Sequence, residues 1–295
     1  MTTLEQPAVS LSLKNILLAT DFSSGSDVAL KHALALASRQ SAHVHTLHVA
    51  APDCYQLLDP EAFALTFNGW AANSANPTEV LRGLMQGLPA EVPLHAGRVW
   101  QVVSEIVTRN EIDLLVLASH GRHGIPRLVL GSVAEDVFRN VSCPVLTVGP
   151  DVKPGPRNEL RIKKILLATH FEPNSSAPSY AAWLSNEFRA ELTLLHVADE
   201  RQARAAARTN KELTERLRAT IPDEATLWQK PTFVLAYGLP SAKILEAARQ
   251  TQPDLIVLGA RHPEPARINS HLPWATAARV IAEASCPVLT VRQGF

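Results

Sequence analysis

Four short blocks occur twice in this chain, in the same order. Lys14–Phe22 (KNILLATDF) is echoed by Lys163–Phe171 (KKILLATHF), and Leu47–Ala50 by Leu195–Ala198. Asp113–Leu117 is echoed by Asp254–Leu258, and Ser142–Val148 returns unchanged at Ser285–Val291. Repeats in conserved order mean one unit written twice, so any fold proposed for the chain must be two copies of one domain. The copies run from about Leu13 to Gly149 and from about Arg161 to Arg292, joined by the Pro-, Gly- and charge-rich segment Pro150–Asn158. Such a composition reads as a linker. The expected division is residues 1–150 and 151–295, which suits a chain of 295 residues.

Within a copy, short apolar runs alternate with helical stretches. Ile16–Ala19 and Leu114–Ala118 are continuously apolar, as parallel strands covered on both faces are. Val28–Arg39, Val102–Arg109 and Val133–Arg139 read as helices, the first introduced by the cap-forming Ser23-Ser24-Gly25-Ser26. Five strands are expected per copy, near 15–19, 43–49, 92–96, 113–118 and 145–148 in the first. Alternation of this kind predicts a Rossmann-like α/β domain with a parallel sheet.

Composition narrows the function. Hydrophobic residues make up 46% and charged ones 19%, which excludes a disordered chain. Lys+Arg and Asp+Glu both number 28, and a neutral chain argues against a dedicated nucleic-acid binder. Three cysteines, Cys54, Cys143 and Cys286, make no disulfide framework. Neither a signal peptide nor an apolar run of about 18 residues is seen, so a soluble cytoplasmic protein without a membrane segment is expected.

The strongest chemical signal follows the fourth strand. Leu117-Ala118-Ser119-His120-Gly121-Arg122-His123-Gly124 leaves it, and Leu130-Gly131-Ser132-Val133 opens the next helix. Exposed backbone N–H groups, a helix N-terminus and glycines that admit close approach suit a phosphate. An ordinary strand-to-helix loop has the same residues. The segment is not a Walker A loop, which needs Gly-Lys-Ser/Thr, nor a dinucleotide fingerprint, which would follow the first strand.

These blocks together resemble the universal stress protein family, over nearly the whole chain and as two tandem domains. Nucleotide-binding members of that family are similar in carrying Gly-x2-Gly-x9-Gly-Ser/Thr after the fourth strand. Here the pattern reads Ala118-x2-Gly121-x9-Gly131-Ser132, with Ala118 in place of the first glycine. The resemblance implies a five-stranded sheet of order 3-2-1-4-5 in each domain. It implies ATP or another adenine nucleotide as ligand, with Mg2+ as its companion. Asp21 and Val49 would contact base or ribose, and Ala19 and Leu117 would line the base pocket. Ala118, at the motif's first position, belongs to the same site. Gly121, Gly131, Ser132 and Val133 would cradle the phosphates. It also implies that the last strands of the two copies pair across a pseudo-twofold axis, with a further homodimer left open.

The second copy has lost this pattern. His170 replaces Asp21, the loop reads Gly259-Ala260-Arg261-His262-Pro263-Glu264-Pro265-Ala266, and Leu272-Pro273-Trp274-Ala275 replaces the glycine–serine helix start. Pro263 and Pro265 lack N–H donors. One nucleotide per chain, in the first domain, is therefore expected. The leading reading is a stress-response sensor or regulator with no catalytic residue assigned. A weak ATP hydrolase using His120 or His123, and a scaffold without nucleotide, are the alternatives.

Other candidates read more plainly. His43 and His45 share a strand face and suggest a metal, but His48 recurs as His196 and reads as a packed histidine; no metal site is assigned. Cys143 and Cys286 read as buried structural thiols. Phe63, Phe67 and Trp70 form an apolar stripe on a helix expected over 60–72. Arg201, Arg204, Arg208 and Lys211 share a helical face that reads as solvated.

Overall fold

The computed structural model describes residues 11–51, 54–67, 77–91, 98–119, 132–153, 161–171, 175–198, 206–221, 227–260 and 273–292. The first copy contains β1 (Asn15–Ala19), α1 (Ser24–Gln40), β2 (His43–Ala51), β3 (Cys54–Leu58), α2 (Pro60–Phe67), α3 (Pro77–Gln86), α4 (Val99–Arg109), β4 (Leu114–Ala118), α5 (Ser132–Asn140) and β5 (Val145–Val148). The second contains β6 (Lys164–Thr169), α6 (Ala177–Phe188), β7 (Glu191–Ala198), α7 (Ala206–Ala219), β8 (Thr232–Tyr237), α8 (Pro240–Thr251), β9 (Leu255–Ala260), α9 (Pro273–Glu283) and β10 (Val288–Arg292).

The strands form one ten-stranded sheet in the order β3-β2-β1-β4-β5-β10-β9-β6-β7-β8. In the second copy β8-β7-β6-β9-β10 is parallel throughout and follows the expected 3-2-1-4-5 order. In the first, β2, β1, β4 and β5 are parallel, but the strand beside β2 is β3, and it runs antiparallel. The parallel strand expected at 92–96 lies outside the described residues. Just before it, Glu91 exchanges two backbone hydrogen bonds with Tyr55 as an antiparallel bridge on the outer side of β3. A short hairpin has thus been added beside β2, and its strand takes the position next to β2 that β8 holds beside β7.

Side-chain alternation along the strands divides the core into two layers. Ile16, Leu18 and Val116 face α1 and α3, and Ile165, Leu167 and Val257 continue that layer under α6 and α7. Leu17, Leu115 and Val145 face α4 and α5, and Leu166, Ile256 and Val288 continue that layer under α8 and α9. The helices start and stop for local reasons. Ser23 caps α1, its hydroxyl accepting the Ser26 N–H at 3.3 Å, and Ser41 ends the helix in the left-handed conformation at φ 54°. Asp113 ties the sheet floor: its Oδ2 accepts the Lys14 and Asn15 N–H groups at 2.7 and 2.9 Å. Asp254 repeats this with Lys163 and Lys164 at 2.7 and 3.0 Å.

The copies meet through β5 and β10, which pair antiparallel with Leu146 opposite Leu289. The Thr290 hydroxyl donates to the Val145 carbonyl at 3.1 Å, and Arg292 donates to the Phe138 carbonyl at 3.1 Å. On the α1/α6 side, Arg39 pairs with Glu187 at 3.3 Å and lies over the Phe188 ring. No described helix is long and apolar enough to cross a membrane.

Candidate functional site

The central feature is the turn that leaves β1. Thr20-Asp21-Phe22 must bring the chain from the sheet edge back to the start of α1, and it does so with Phe22 at φ 59°. A non-glycine residue in that region costs about 1–2 kcal/mol and needs support. Thr20 gives some, its hydroxyl accepting the Phe22 N–H at 3.0 Å. Asp21 gives more, its Oδ1 accepting the Ser23 N–H at 3.0 Å and the Ser26 hydroxyl at 2.7 Å. His48 closes the back of the turn. Its Nδ1 lies 2.8 Å from the Thr20 carbonyl, which can only accept, so Nδ1 carries the proton. Its ring packs on Phe22 at 4.7 Å. The packed reading of His48 therefore holds.

The residues around this turn converge. β1 lies between β2 and β4, where the direction in which successive strands are added to the sheet reverses, and in open α/β sheets ligands bind at that point. Ala19, Val49 and Leu117 stand near the carboxyl ends of β1, β2 and β4 and belong to the same apolar layer, under α4. Asp21 is half-buried beside them. Ala118 follows Leu117, so strand alternation turns its methyl group to the opposite face, toward α1. A Cβ on its counterpart Gly259 would likewise sit 3.0 Å from the Ser175 hydroxyl and 3.7 Å from Ala177, both at the start of α6. The departure at the motif's first position is thus directed away from the face shared by Ala19, Val49 and Leu117.

Val133 is half-exposed in the first turn of α5. Ser132 opens that helix, but its side chain is outside the described residues, as are Gly121, Gly131, His120 and His123. The same holds for the second copy's loop from Arg261 and for the side chain of Trp274. Other candidates separate as well. Phe63 is buried in the core under α1, whereas the Phe67 side chain, Trp70, Arg201, Arg204 and the Arg208 side chain lie outside the described residues. Lys211 is exposed. Cys143 and Cys286 are buried, and burial pushes each thiol up to about 12. His43 is exposed while His45 is buried, and burial holds the His45 ring below the usual histidine range. Among the described residues no group of three His, Cys, Asp or Glu is placed to hold a metal ion.

Arg82 is a participant that sequence reading missed. It reaches from α3 to donate to the Phe22 carbonyl at 3.2 Å and lies 5.5 Å over the Phe22 ring, while Glu79 holds it at 2.8 Å. No motif marks it. Only its contact with the turn shows that α3 braces the segment carrying Asp21.

Comparison with known proteins agrees with the doubled architecture. The universal stress protein family model matches residues 12–149 and again residues 161–292. The chain belongs to the universal stress protein family. Universal stress protein MJ0577 of Methanocaldococcus jannaschii is 28% identical over 159 residues, 48% of this chain and 97% of that one. Universal stress protein MJ0531 of the same organism is 29% identical over 141 residues, 46% of this chain and 81% of that one. Each relative thus corresponds to about one copy. A crystal structure of a universal stress protein from Archaeoglobus fulgidus aligns over 95% of this chain and 98% of its own at a TM-score of 0.59 and 21% identity. That likeness extends the shared fold across both copies.

Proposed function

We propose that the first domain, residues 1–150, binds an adenine nucleotide, and that residues 151–295 are a degenerate copy that does not. The observation that carries the reading is the grouping of Ala19, Val49 and Leu117 on one face at the switch point, beside the turn locked by Asp21. The apolar face suits a flat base, and the Asp21 carboxylate suits ribose hydroxyls or the base edge. Gly121, Gly131, Ser132 and Val133 would receive the phosphates, and a triphosphate would bring Mg2+ with it to offset its charge. His170 stands where Asp21 would be needed in the second domain.

The protein then acts as a cytoplasmic stress-response sensor or regulator. Ligand bound only to the folded crevice stabilises it by mass action, by about 2.7 kcal/mol at a hundredfold excess over Kd. That stabilisation shifts any partner equilibrium linked to the same turn.

Isothermal titration tests this directly, with ATP in one arm and cAMP in the other, since a universal stress protein has been crystallised in complex with cAMP. One nucleotide per chain is expected, with the heat lost in Gly131→Trp. Two per chain would overturn the asymmetry. No heat and no shift in Tm would favour a scaffold, and ATP turnover lost in His120→Ala would favour a hydrolase.

A further inference from the structure

The second domain keeps the frame of the first domain's turn and places an imidazole, His170, where the first has the Asp21 carboxylate. Phe171 repeats the left-handed conformation at φ 57°, with its N–H donated to the Thr169 hydroxyl at 3.2 Å. His196 repeats His48, its Nδ1 donating to the Thr169 carbonyl at 2.9 Å. Arg216, from α7, lies 4.5 Å over the Phe171 ring, as Arg82 lies over Phe22. The scaffold has been retained although the nucleotide motif has gone.

What has changed is which polar side chains stand around it. In the first domain Glu79 pairs with Arg82 and the Asp21 carboxylate stands in the turn. In the second, His170 occupies the Asp21 position, exposed at the end of β6, and its ring stacks on His196 at 6.0 Å. Among the described residues Arg216 makes no ion pair. His196 is held below the usual histidine range by burial first, with His170 and Arg216 adding to the shift. Three cation-forming side chains thus gather around Phe171 at the carboxyl ends of β6 and β7, where α/β sheets receive ligands.

We propose that this cluster is a second binding site, selective for a phosphate group, in which Arg216 and His170 are the direct donors and His196 backs them. A guanidinium presents a rigid fork of N–H donors that matches phosphate oxygens, and an imidazolium adds a charged N–H beside it. The site uses none of the residues assigned to the nucleotide, so it stands or falls separately. Free phosphate and a phosphomonoester share the chemistry recognised here.

The test is NMR of the histidine ring resonances of the full chain near pH 6, titrated with inorganic phosphate, with AMP, and with sodium chloride at matched ionic strength. Saturable shifts of His170 and His196 with phosphate or AMP, and not with chloride, are expected. A tighter response to AMP would identify a phosphomonoester as the source, and a tighter response to phosphate the free ion. Arg216→Gln should weaken the response by roughly tenfold or more, the effect of one lost charge-assisted hydrogen bond. His170→Asp, at an exposed position, should do the same and serves if the first variant fails to fold. Gly131→Trp should leave the response intact while abolishing nucleotide binding in the first domain. No saturable shift through the millimolar range, an equal response to chloride, or an undiminished response in a folded Arg216→Gln or His170→Asp variant would overturn the proposal.

Discussion

Gly149 and Arg292 follow the repeated Ser-Cys-Pro-Val-Leu-Thr-Val block at corresponding places, yet they meet the opposite domain in different ways. A Cβ on Gly149 would sit 2.3 Å from the Ile281 carbonyl oxygen, so the backbone itself packs against α9. Arg292 instead reaches 3.1 Å to the carbonyl of Phe138, the counterpart of Ile281. One copy makes the contact by having no side chain and the other by having a long one. Gly149→Ala should therefore destabilise the chain by about 1–3 kcal/mol, the usual cost of overpacking against backbone. Urea unfolding measures it, and an unchanged midpoint would show that α9 moves aside without cost. At this scale the sequence was partly legible. The Asp21-to-His170 replacement and the serine caps could be read directly, because each acts on its neighbours in the chain. The roles of Asp113, Asp254, Arg82 and Arg216 could not, because each depends on a partner about 45 to 100 residues away. An identical Asp ahead of the same strand in both copies was the only mark that the sheet floor left.

At the scale of elements, α1 and α6 lie side by side where the domains meet, above a cavity of about 30 Å³ lined by both copies. His32 of α1 lines it together with Leu36, Tyr180, Trp183, Leu184 and Asp254. Burial lowers the His32 ring to about 4. The folded value lies below the ordinary 6.5, so the unfolded chain takes up this proton first as pH falls. Stability from His32 is present above pH 6.5 and drains away between 6.5 and about 4, by on the order of 3 kcal/mol at most. The expected result is that wild type loses more stability than His32→Leu over that interval. Parallel curves, measured by urea unfolding at several pH values, would refute it. Element reading from sequence did well for α1, α4 and α5, whose apolar stripes and caps are local. It missed β3, because Cys-Tyr-Gln-Leu-Leu is too short to show alternation and only the Pro52-Asp53 pair ahead of it marks a turn. The added hairpin is a property of the first copy, so the internal repeat gave no warning of it.

At the scale of the whole molecule, the ten-stranded sheet is continuous only because β5 and β10 pair. Their register is symmetric: Leu146 faces its own counterpart Leu289, Val145 faces Thr290 and Thr147 faces Val288. Net charge does not explain the docking. Residues 1–150 carry 9 Lys+Arg against 13 Asp+Glu and residues 151–295 carry 19 against 15, yet the interdomain pair Arg39–Glu187 takes its cation from the acidic half. Strand pairing and apolar burial hold the halves, and the opposite charges act as a long-range addition that salt screens. An isolated first domain, residues 11–153, would expose the whole β5 edge beside Leu146 and Val148, a template for another strand. Because the native partner is a copy of the same strand, a second β5 can take its place with Leu146 opposite Leu146. The isolated domain is therefore expected to dimerise in sedimentation experiments, whereas Thr147→Pro, which removes a ladder donor, should leave it monomeric. Two acidic domains repel where an acidic and a basic one attract, so this dimer should tighten as salt is raised. A folded isolated domain that stays monomeric at high protein concentration and high salt would mean that β5 accepts β10 but not a second β5.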